Sequence, residues 1–146
     1  MHTVNSKARV ILDTLTEDLI EVGDHRKIDN TDGLFMPVYV ECIGRVGDGR
    51  LFSVAHYFKQ NGDMMRDPDV VFFQVDTFKE GYPEHSRDVF PVEYYPVSFE
   101  QSSVGLYQEA VIIGSEGIEG VRPKLQKSIT SFCNDWMMNI KDQQGI

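Results

Sequence analysis

The sequence predicts a single α+β domain over residues 1–146, with a largely antiparallel sheet of about five strands and a helix at each end. Helical periodicity occurs near both termini, whereas the residues between them follow the alternation of β-strands. Strand and helix patterns do not alternate along the chain, so βαβ units with a parallel sheet are not expected. Both helices should therefore pack on one face of the sheet, where they bury its apolar side.

The first helix is predicted over residues 6–22. Its apolar residues recur at spacings of four, three, four and three, which places Ala8, Leu12, Leu15, Leu19 and Val22 on one helical face. Asn5 or Ser6 can cap the start of this helix, and Gly23 can cap its end. Residues 24–36 are polar and should form an irregular connection that contains turns.

Runs rich in β-branched and aromatic residues predict strands over residues 37–46, 51–59, 69–76, 92–100 and 106–113. The first two strands should form a hairpin around a Gly-rich turn. Alternation along the first strand predicts that Val38, Val40, Cys42 and Val46 share one face. Pro96 indicates an edge position or a bulge, because proline has no N–H for the sheet. Residues 114–120 (GSEGIEG) should be turns.

The second helix is predicted over residues 121–143, with Pro123 in its first turn. Its apolar stripe consists of Leu125, Ile129, Phe132, Cys133, Trp136 and Ile140. Cys42 and Cys133 are the two cysteines of the chain, and they do not form a CxxC redox or zinc pair. We expect two buried, reduced thiols, although the sequence leaves a disulfide between them open.

Acidic residues dominate the charge of the chain: 23 Asp and Glu face 14 Lys and Arg, a net charge of −9. This excess disfavours binding to the phosphates of duplex nucleic acid. Residues 76–119 hold nine acids and two bases. They predict an acidic surface for a protein partner, made of Glu80, Glu84, Asp88, Glu93, Glu100 and Glu109. No apolar run is long enough for a membrane helix and no signal peptide is evident, so we expect a cytoplasmic protein.

The densest polar cluster lies in residues 56–69 and consists of His56, Gln60, Asn61, Asp63, Asp67 and Asp69. A turn at 61–69 would bring these side chains together, and carboxylates around a turn can hold Mg²⁺ or Ca²⁺. Their spacing is not that of an EF-hand loop. The simpler interpretation is that the polar side chains stabilise the turn. We therefore expect no catalytic residue, metal or cofactor, and we keep a metal-dependent enzyme or metal-binding module at this turn as the alternative.

Three segments resemble an uncharacterised domain family of bacteriophages, plasmids and conjugative elements. The first carries the pattern QNGDxMxDP, the second is an aromatic strand and the third is the end of the last helix. The matching positions are Tyr57, Gln60, Asn61, Gly62, Asp63, Met65, Asp67, Pro68, Phe72, Val104, Gly105, Tyr107, Gln108, Trp136, Asn139 and Ile140. The resemblance covers the last two-thirds of the chain and leaves the first helix outside. It implies a mobile-element protein that works inside a bacterial cell.

These observations favour a small non-enzymatic accessory protein that binds a protein partner. Its acidic surface would suit a basic host protein that handles nucleic acid, because opposite charges speed association. A nucleic-acid-binding module at the basic start of the last helix, with Arg122, Lys124 and Lys127, is a further alternative. The sequence leaves open whether the chain is a monomer or a homodimer.

Overall fold

The computed structural model describes residues 1–76 and 92–146. Its elements in chain order are α1 (Ser6–Thr16), β1 (His25–Ile28), β2 (Val38–Val46), β3 (Gly49–Gln60), β4 (Asp63–Asp76), β5 (Val92–Gln101), a 3₁₀ turn (Ser102–Val104), β6 (Leu106–Glu109), β7 (Val111–Gly114), β8 (Gly117–Val121) and α2 (Pro123–Gln144). The predicted α+β domain with a helix at each end is confirmed. Neither described helix is long and apolar enough to cross a lipid bilayer.

The main sheet contains six strands in the order β1-β2-β3-β4-β5-β6, and every neighbouring pair is antiparallel. Strands β7 and β8 form a separate antiparallel hairpin. The predicted fifth strand is wrong as one element, because it divides at Ala110 into β6, which pairs with β5 in the main sheet, and β7, which pairs with β8. Two more strands, β1 and β8, form in segments whose composition indicated only turns.

Both helices pack on the same face of the main sheet, as predicted, and enclose the larger hydrophobic core. Members of this core include Leu12 and Leu15 of α1, Val40, Phe52 and Phe72 of the sheet, and Met137 and Ile140 of α2. Cys42 and Cys133 are buried in it as free thiols, which confirms the predicted unpaired state. Burial raises the pKa of Cys133 far above its usual range, so this thiol stays protonated.

Helix α1 ends at Thr16, six residues before the predicted end. The Thr16 hydroxyl donates to the carbonyl of Leu12 and contacts the buried Tyr94 hydroxyl. The chain then turns around the Asp24 carboxylate, which accepts bonds from the backbone N–H groups of Ile20 and Glu21 at 3.0 and 2.9 Å. These local bonds satisfy backbone groups outside the helix. The helix can therefore end at Thr16 although the apolar periodicity of the sequence continues beyond it.

Bulges on two strands change which side chains face the helices. In β2, Cys42 pairs with Phe52 and Gly44 pairs with Leu51, so Ile43 is an extra residue. Val46 consequently packs on the opposite face from Val38, and the prediction that these two share a face is wrong. In β5, Ser98 and Pro96 pair with consecutive residues of β4, which confirms the bulge that Pro96 indicated.

The β7–β8 hairpin covers half of the outer face, meaning the face of the main sheet that points away from the helices. Its Val111, Ile113 and Val121 pack with sheet residues in a second apolar cluster, which contains Val46, Leu51, Val71, Phe73, Val75, Tyr95 and Val97. We call this region the covered half. Gly49 belongs to its packing, because a Cβ atom there would collide with the Phe73 ring. The hairpin does not cover the rest of the outer face.

Candidate functional site

The uncovered part of the outer face, here called the open half, carries polar and aromatic side chains from all six strands. Two rows of directly paired residues cross it. The first row is Lys27, Tyr39, Ala55, Asp69, Glu100 and Tyr107, and the second is His25, Glu41, Ser53, Val71, Ser98 and Glu109. Paired residues of antiparallel strands share a face of the sheet. Four carboxylates from four different strands therefore lie on one surface.

A groove runs along the open half and consists of two adjoining cavities of about 280 and 250 Å³. Glu41, Ser53 and Tyr57 line both cavities, so the two form one continuous depression. The larger cavity extends over Arg66, Asp69, Glu100 and Tyr107, and the smaller one extends over Lys27 and Tyr39. A concave surface with convergent polar groups is the usual form of a binding site.

Asp69 lies at the floor of the groove, where only 11% of its side chain is exposed. The Ser53 hydroxyl donates to its Oδ1 at 2.7 Å, and Nε of Arg66 lies 3.7 Å from its Oδ2. Burial raises the pKa of Asp69 above its ordinary value; the Ser53 bond and the Arg66 charge oppose this shift, and the charges of Glu100 and Glu41 add to it. Ser53 and Arg66 thus compensate the ionised carboxylate only in part.

Among the residues that the structure describes, Arg66 is the cation that forms ion pairs with the carboxylates of the groove. Its Nη1 donates to Oε2 of Glu100 at 2.9 Å, while half of its side chain stays exposed. Its backbone is tied to Ser102, whose hydroxyl accepts from the Arg66 N–H at 2.6 Å. One guanidinium therefore pairs with the two carboxylates of β4 and β5. The Glu41 carboxylate of β2 has no ion pair within the described residues.

Tyrosines form the walls of the groove. The rings of Tyr39 and Tyr57 meet edge to face with centroids 5.1 Å apart, and Nζ of Lys27 lies 5.7 Å from the centroid of Tyr39. Burial raises the pKa of Tyr57, and the nearby Asp69 charge adds to the shift while Arg66 opposes it. The Tyr57 hydroxyl therefore stays neutral. On the opposite side, Tyr107 is 60% exposed and faces Glu100.

The structure distributes the predicted turn cluster over different places. Asn61 and Gly62 make a tight hairpin turn with positive φ angles of 53° and 86°, and Gln60 and Asp63 flank it at the exposed tip. Strand β4 begins directly at Asp63, so the predicted long turn over 61–69 is wrong. Asn tolerates this left-handed conformation better than most residues, and this explains the NG pair.

His56 and Asp67 lie together on the helix side of the sheet at a bulge of β4, where two residues of β4 stand opposite His56 of β3. The His56 Nδ1 is 3.0 Å from the carbonyl of Pro37, and its ring packs edge to face on Trp136. Burial lowers the pKa of His56, while the Pro37 bond and the Asp67 charge oppose that shift. Asp67 accepts a bond from the Gln101 amide at 3.0 Å. These two residues are therefore separated by the sheet from Asp69, which faces the outer groove.

Within residues 1–76 and 92–146, no group of three or more His, Cys, Asp or Glu side chains is placed to hold a metal ion. The basic residues at the start of α2 are all exposed; they are Arg122, Lys124 and Lys127. The first turn of α2 contains no acidic residue.

The structure describes three of the six residues of the predicted acidic surface. Glu100 and Glu109 lie on the open half, one on each side of the β5–β6 pairing. Glu93 precedes Tyr95 by two residues and so points to the same outer face, beside the covered half. Glu80, Glu84 and Asp88 lie outside the described residues.

Sequence reasoning missed Glu41, Tyr39 and Arg66 as members of a site. Glu41 and Tyr39 alternate with the buried valines of β2, and this alternation is visible in the sequence. This alternation placed Glu41 and Tyr39 on the face opposite the core. Composition alone did not indicate that the β7–β8 hairpin leaves this part of the face uncovered or that Asp69 lies beside it. Arg66 lay in a segment interpreted as a turn, whereas it pairs with Tyr57 in the β3–β4 ladder.

Comparison with known proteins assigns a family. No curated protein and no solved structure gives a significant match to the chain. Residues 8–146 match a family described as a domain of unknown function, DUF6908. The match begins within α1 and so includes most of the first helix, which lay outside the segments that carried the resemblance. Because the match covers nearly the whole sequence, the chain belongs to the DUF6908 family.

Proposed function

We propose that this protein is a small non-enzymatic accessory protein that binds a basic segment of another protein through the open half of its sheet. The observation that carries the proposal is the groove itself. Three carboxylates line it, Glu41, Asp69 and Glu100, and Glu109 lies on the same face. Within residues 1–76 and 92–146, Arg66 is the cation that forms ion pairs with them, while Arg26 and Lys27 line the smaller cavity. Tyrosine walls add contact area suited to side chains with long apolar stems.

Charge complementarity supports a basic partner. The whole chain carries −9, so its field attracts cations over a distance comparable to the Debye length, about 8–10 Å at physiological salt. Proteins that handle nucleic acid present clustered Lys and Arg, and they are the class of partner that we expect. The resemblance to proteins of bacteriophages, plasmids and conjugative elements supports a mobile-element origin and action in the bacterial cytoplasm.

Binding to a labelled peptide rich in Lys and Arg, followed by fluorescence anisotropy, tests the proposal. We expect the affinity to fall steeply as salt rises from about 20 to about 300 mM, because screening weakens exposed charge pairs. The double variant Glu41→Gln/Glu109→Gln should lose about tenfold in affinity, since it removes two charges from the open half.

A matched control is available on α2, where Asp135 and Asp142 are exposed on the other side of the molecule. The variant Asp135→Asn/Asp142→Asn changes the net charge equally and should lose less than about twofold. Equal losses in both variants would contradict the assignment of the surface. Absence of binding at low salt would contradict the function. Capture from a bacterial lysate with elution by salt then identifies the natural partner.

The alternative of a metal-dependent enzyme or metal-binding module at residues 61–69 receives no support from the geometry, because Asp67 and Asp69 face opposite sides of the sheet. Thermal melting with Mg²⁺, Mn²⁺, Ca²⁺ and Zn²⁺ tests it, since an ion that binds the folded state raises the melting temperature. A gel shift at low salt tests the nucleic-acid alternative at the start of α2.

A further inference from the structure

We infer that the groove recognises an arginine side chain of the partner and holds it between Glu41 and Asp69, against the ring of Tyr57. The inference rests on the proposed function and specifies its ligand. It concerns the place where the two cavities join at Glu41, Ser53 and Tyr57, beside Arg66, which pairs with Tyr57 across β3 and β4.

The spacing of the two carboxylates follows from the sheet. Glu41 and Ser53 are paired neighbours on β2 and β3, and the Ser53 hydroxyl bonds to Asp69 on β4. Ser53 therefore lies between the two acids. Tyr57 lines both cavities together with Glu41, and it lines the larger one together with Asp69, so all three groups border one depression.

The carboxylates of the groove differ in whether a cation of this chain already pairs with them. Arg66, on β4 beside Tyr57, bridges Glu100 and Asp69 with nitrogen–oxygen distances of 2.9 and 3.7 Å. Glu41 forms no ion pair with any residue in the described ranges. A second cation is thus accommodated by charge beside Glu41, because no cation within residues 1–76 and 92–146 forms an ion pair with that carboxylate.

The aromatic wall adds a second kind of contact. Lys27 already lies over the ring of Tyr39, so this row of tyrosines interacts with cations within the molecule itself. Tyr57 is the next ring toward Asp69 and lines both cavities. A cation between Glu41 and Asp69 would therefore contact a neutral aromatic ring as well as two carboxylates.

The shape of this arrangement favours arginine over lysine. A guanidinium is planar, stacks on aromatic rings and can direct separate N–H groups at two carboxylates. A lysine ammonium is a compact point charge, so contact with an aromatic ring and two separate carboxylates stabilises it less. The groove should therefore discriminate between two cations of equal charge.

Two labelled peptides that differ only in three arginines or three lysines test this inference by fluorescence anisotropy. We expect the wild type to bind the arginine peptide about tenfold more tightly. Tyr57→Leu should reduce this ratio to about one, while Tyr57→Phe should preserve it because the ring is retained. Circular dichroism and thermal melting confirm that each variant is folded, and Glu41→Gln provides a second test if Tyr57→Leu does not fold.

Glu109→Gln is the matched control, because Glu109 lies on the same face outside this cluster. It should weaken both peptides equally and leave the ratio unchanged. A wild-type ratio near one would overturn the arginine assignment while salt-dependent binding still supported the proposed function. A ratio that falls equally in Glu109→Gln and Tyr57→Leu would also overturn it. Failure of both peptides to bind at low salt would overturn the inference and the proposed function together.

Discussion

The covered and open halves of the outer face are built from the same strands but carry opposite chemistry. Phe73 and Tyr95 are direct partners in the covered half and pack under the β7–β8 hairpin. A few residues further along the same two strands, Asp69 and Glu100 are direct partners in the open half. Two like charges opposite one another destabilise a sheet, whereas an aromatic pair under a hairpin stabilises it.

This difference indicates that the open half is not optimised for stability. Arg66 offsets part of the repulsion between Asp69 and Glu100, but the pKa of Asp69 remains raised. Natural proteins commonly retain such unfavourable groups where function requires them. The two halves should therefore respond in opposite ways to substitution, the covered half in folding and the open half in binding.

The largest effect is expected from Phe73→Ala in the covered half. Phe73 is 7% exposed, and its removal leaves a cavity beneath the hairpin, so the free energy of unfolding should fall by about 3–5 kcal/mol. Urea denaturation followed by circular dichroism measures this loss. Basic-peptide affinity per folded molecule should stay unchanged; a parallel loss of affinity would show that the hairpin is part of the binding surface.

Asp69→Asn should have the opposite outcome. The pKa of Asp69 is raised in the fold, so at neutral pH its ionised form costs stability relative to a neutral isostere. The variant should unfold at higher urea concentration at pH 7, and its advantage should disappear as the pH falls through the folded pKa of Asp69. Its affinity for the basic peptide should drop by about tenfold. A variant that is less stable at pH 7 would contradict this account.

His56 on the helix side provides a reference with the reverse pH response. Its pKa is lowered by burial, so the unfolded chain binds a proton more readily than the folded protein. Stability should therefore decrease as the pH falls below about 6.5, the ordinary histidine value, toward the lower folded pKa. His56→Gln should flatten this part of the curve of unfolding free energy against pH. An unchanged curve would exclude His56 as its source.

The smallest effect on stability is expected from Tyr107→Ala in the open half. Tyr107 is 60% exposed on the edge strand, so the free energy of unfolding should change by no more than about 0.5 kcal/mol. Urea denaturation beside Phe73→Ala gives the direct comparison of the halves. A loss approaching that of Phe73→Ala would remove the distinction between them.

Local patterns in the sequence account for much of the fold. The stripe of α2 from Leu125 to Ile140 and the NG turn at Asn61 are local signals, and both elements form where predicted. Burial of the cysteines followed from the same periodicities. Val46 shows the limit of this reasoning, because the extra residue Ile43 in β2 reverses the alternation that the sequence displays.

The candidate site could be predicted only in fragments. Asp69, Glu100 and Glu109 were each identified, but they were assigned to separate features, a turn and an acidic surface. Their position on a common face depends on the registers of the β4–β5 and β5–β6 pairings, which sequence spacing does not reveal. Glu41 and Arg66 join it through two further pairings.

The sequence by itself determined the α+β class, the two terminal helices and the acidic character of the chain, because periodicity and composition act locally. Only the tertiary structure decided that one half of the outer face is covered by the β7–β8 hairpin and that the other half forms a groove around Asp69. The physical reason is that strand register and bulge position follow from non-local packing, and a shift of one residue moves a side chain to the opposite face.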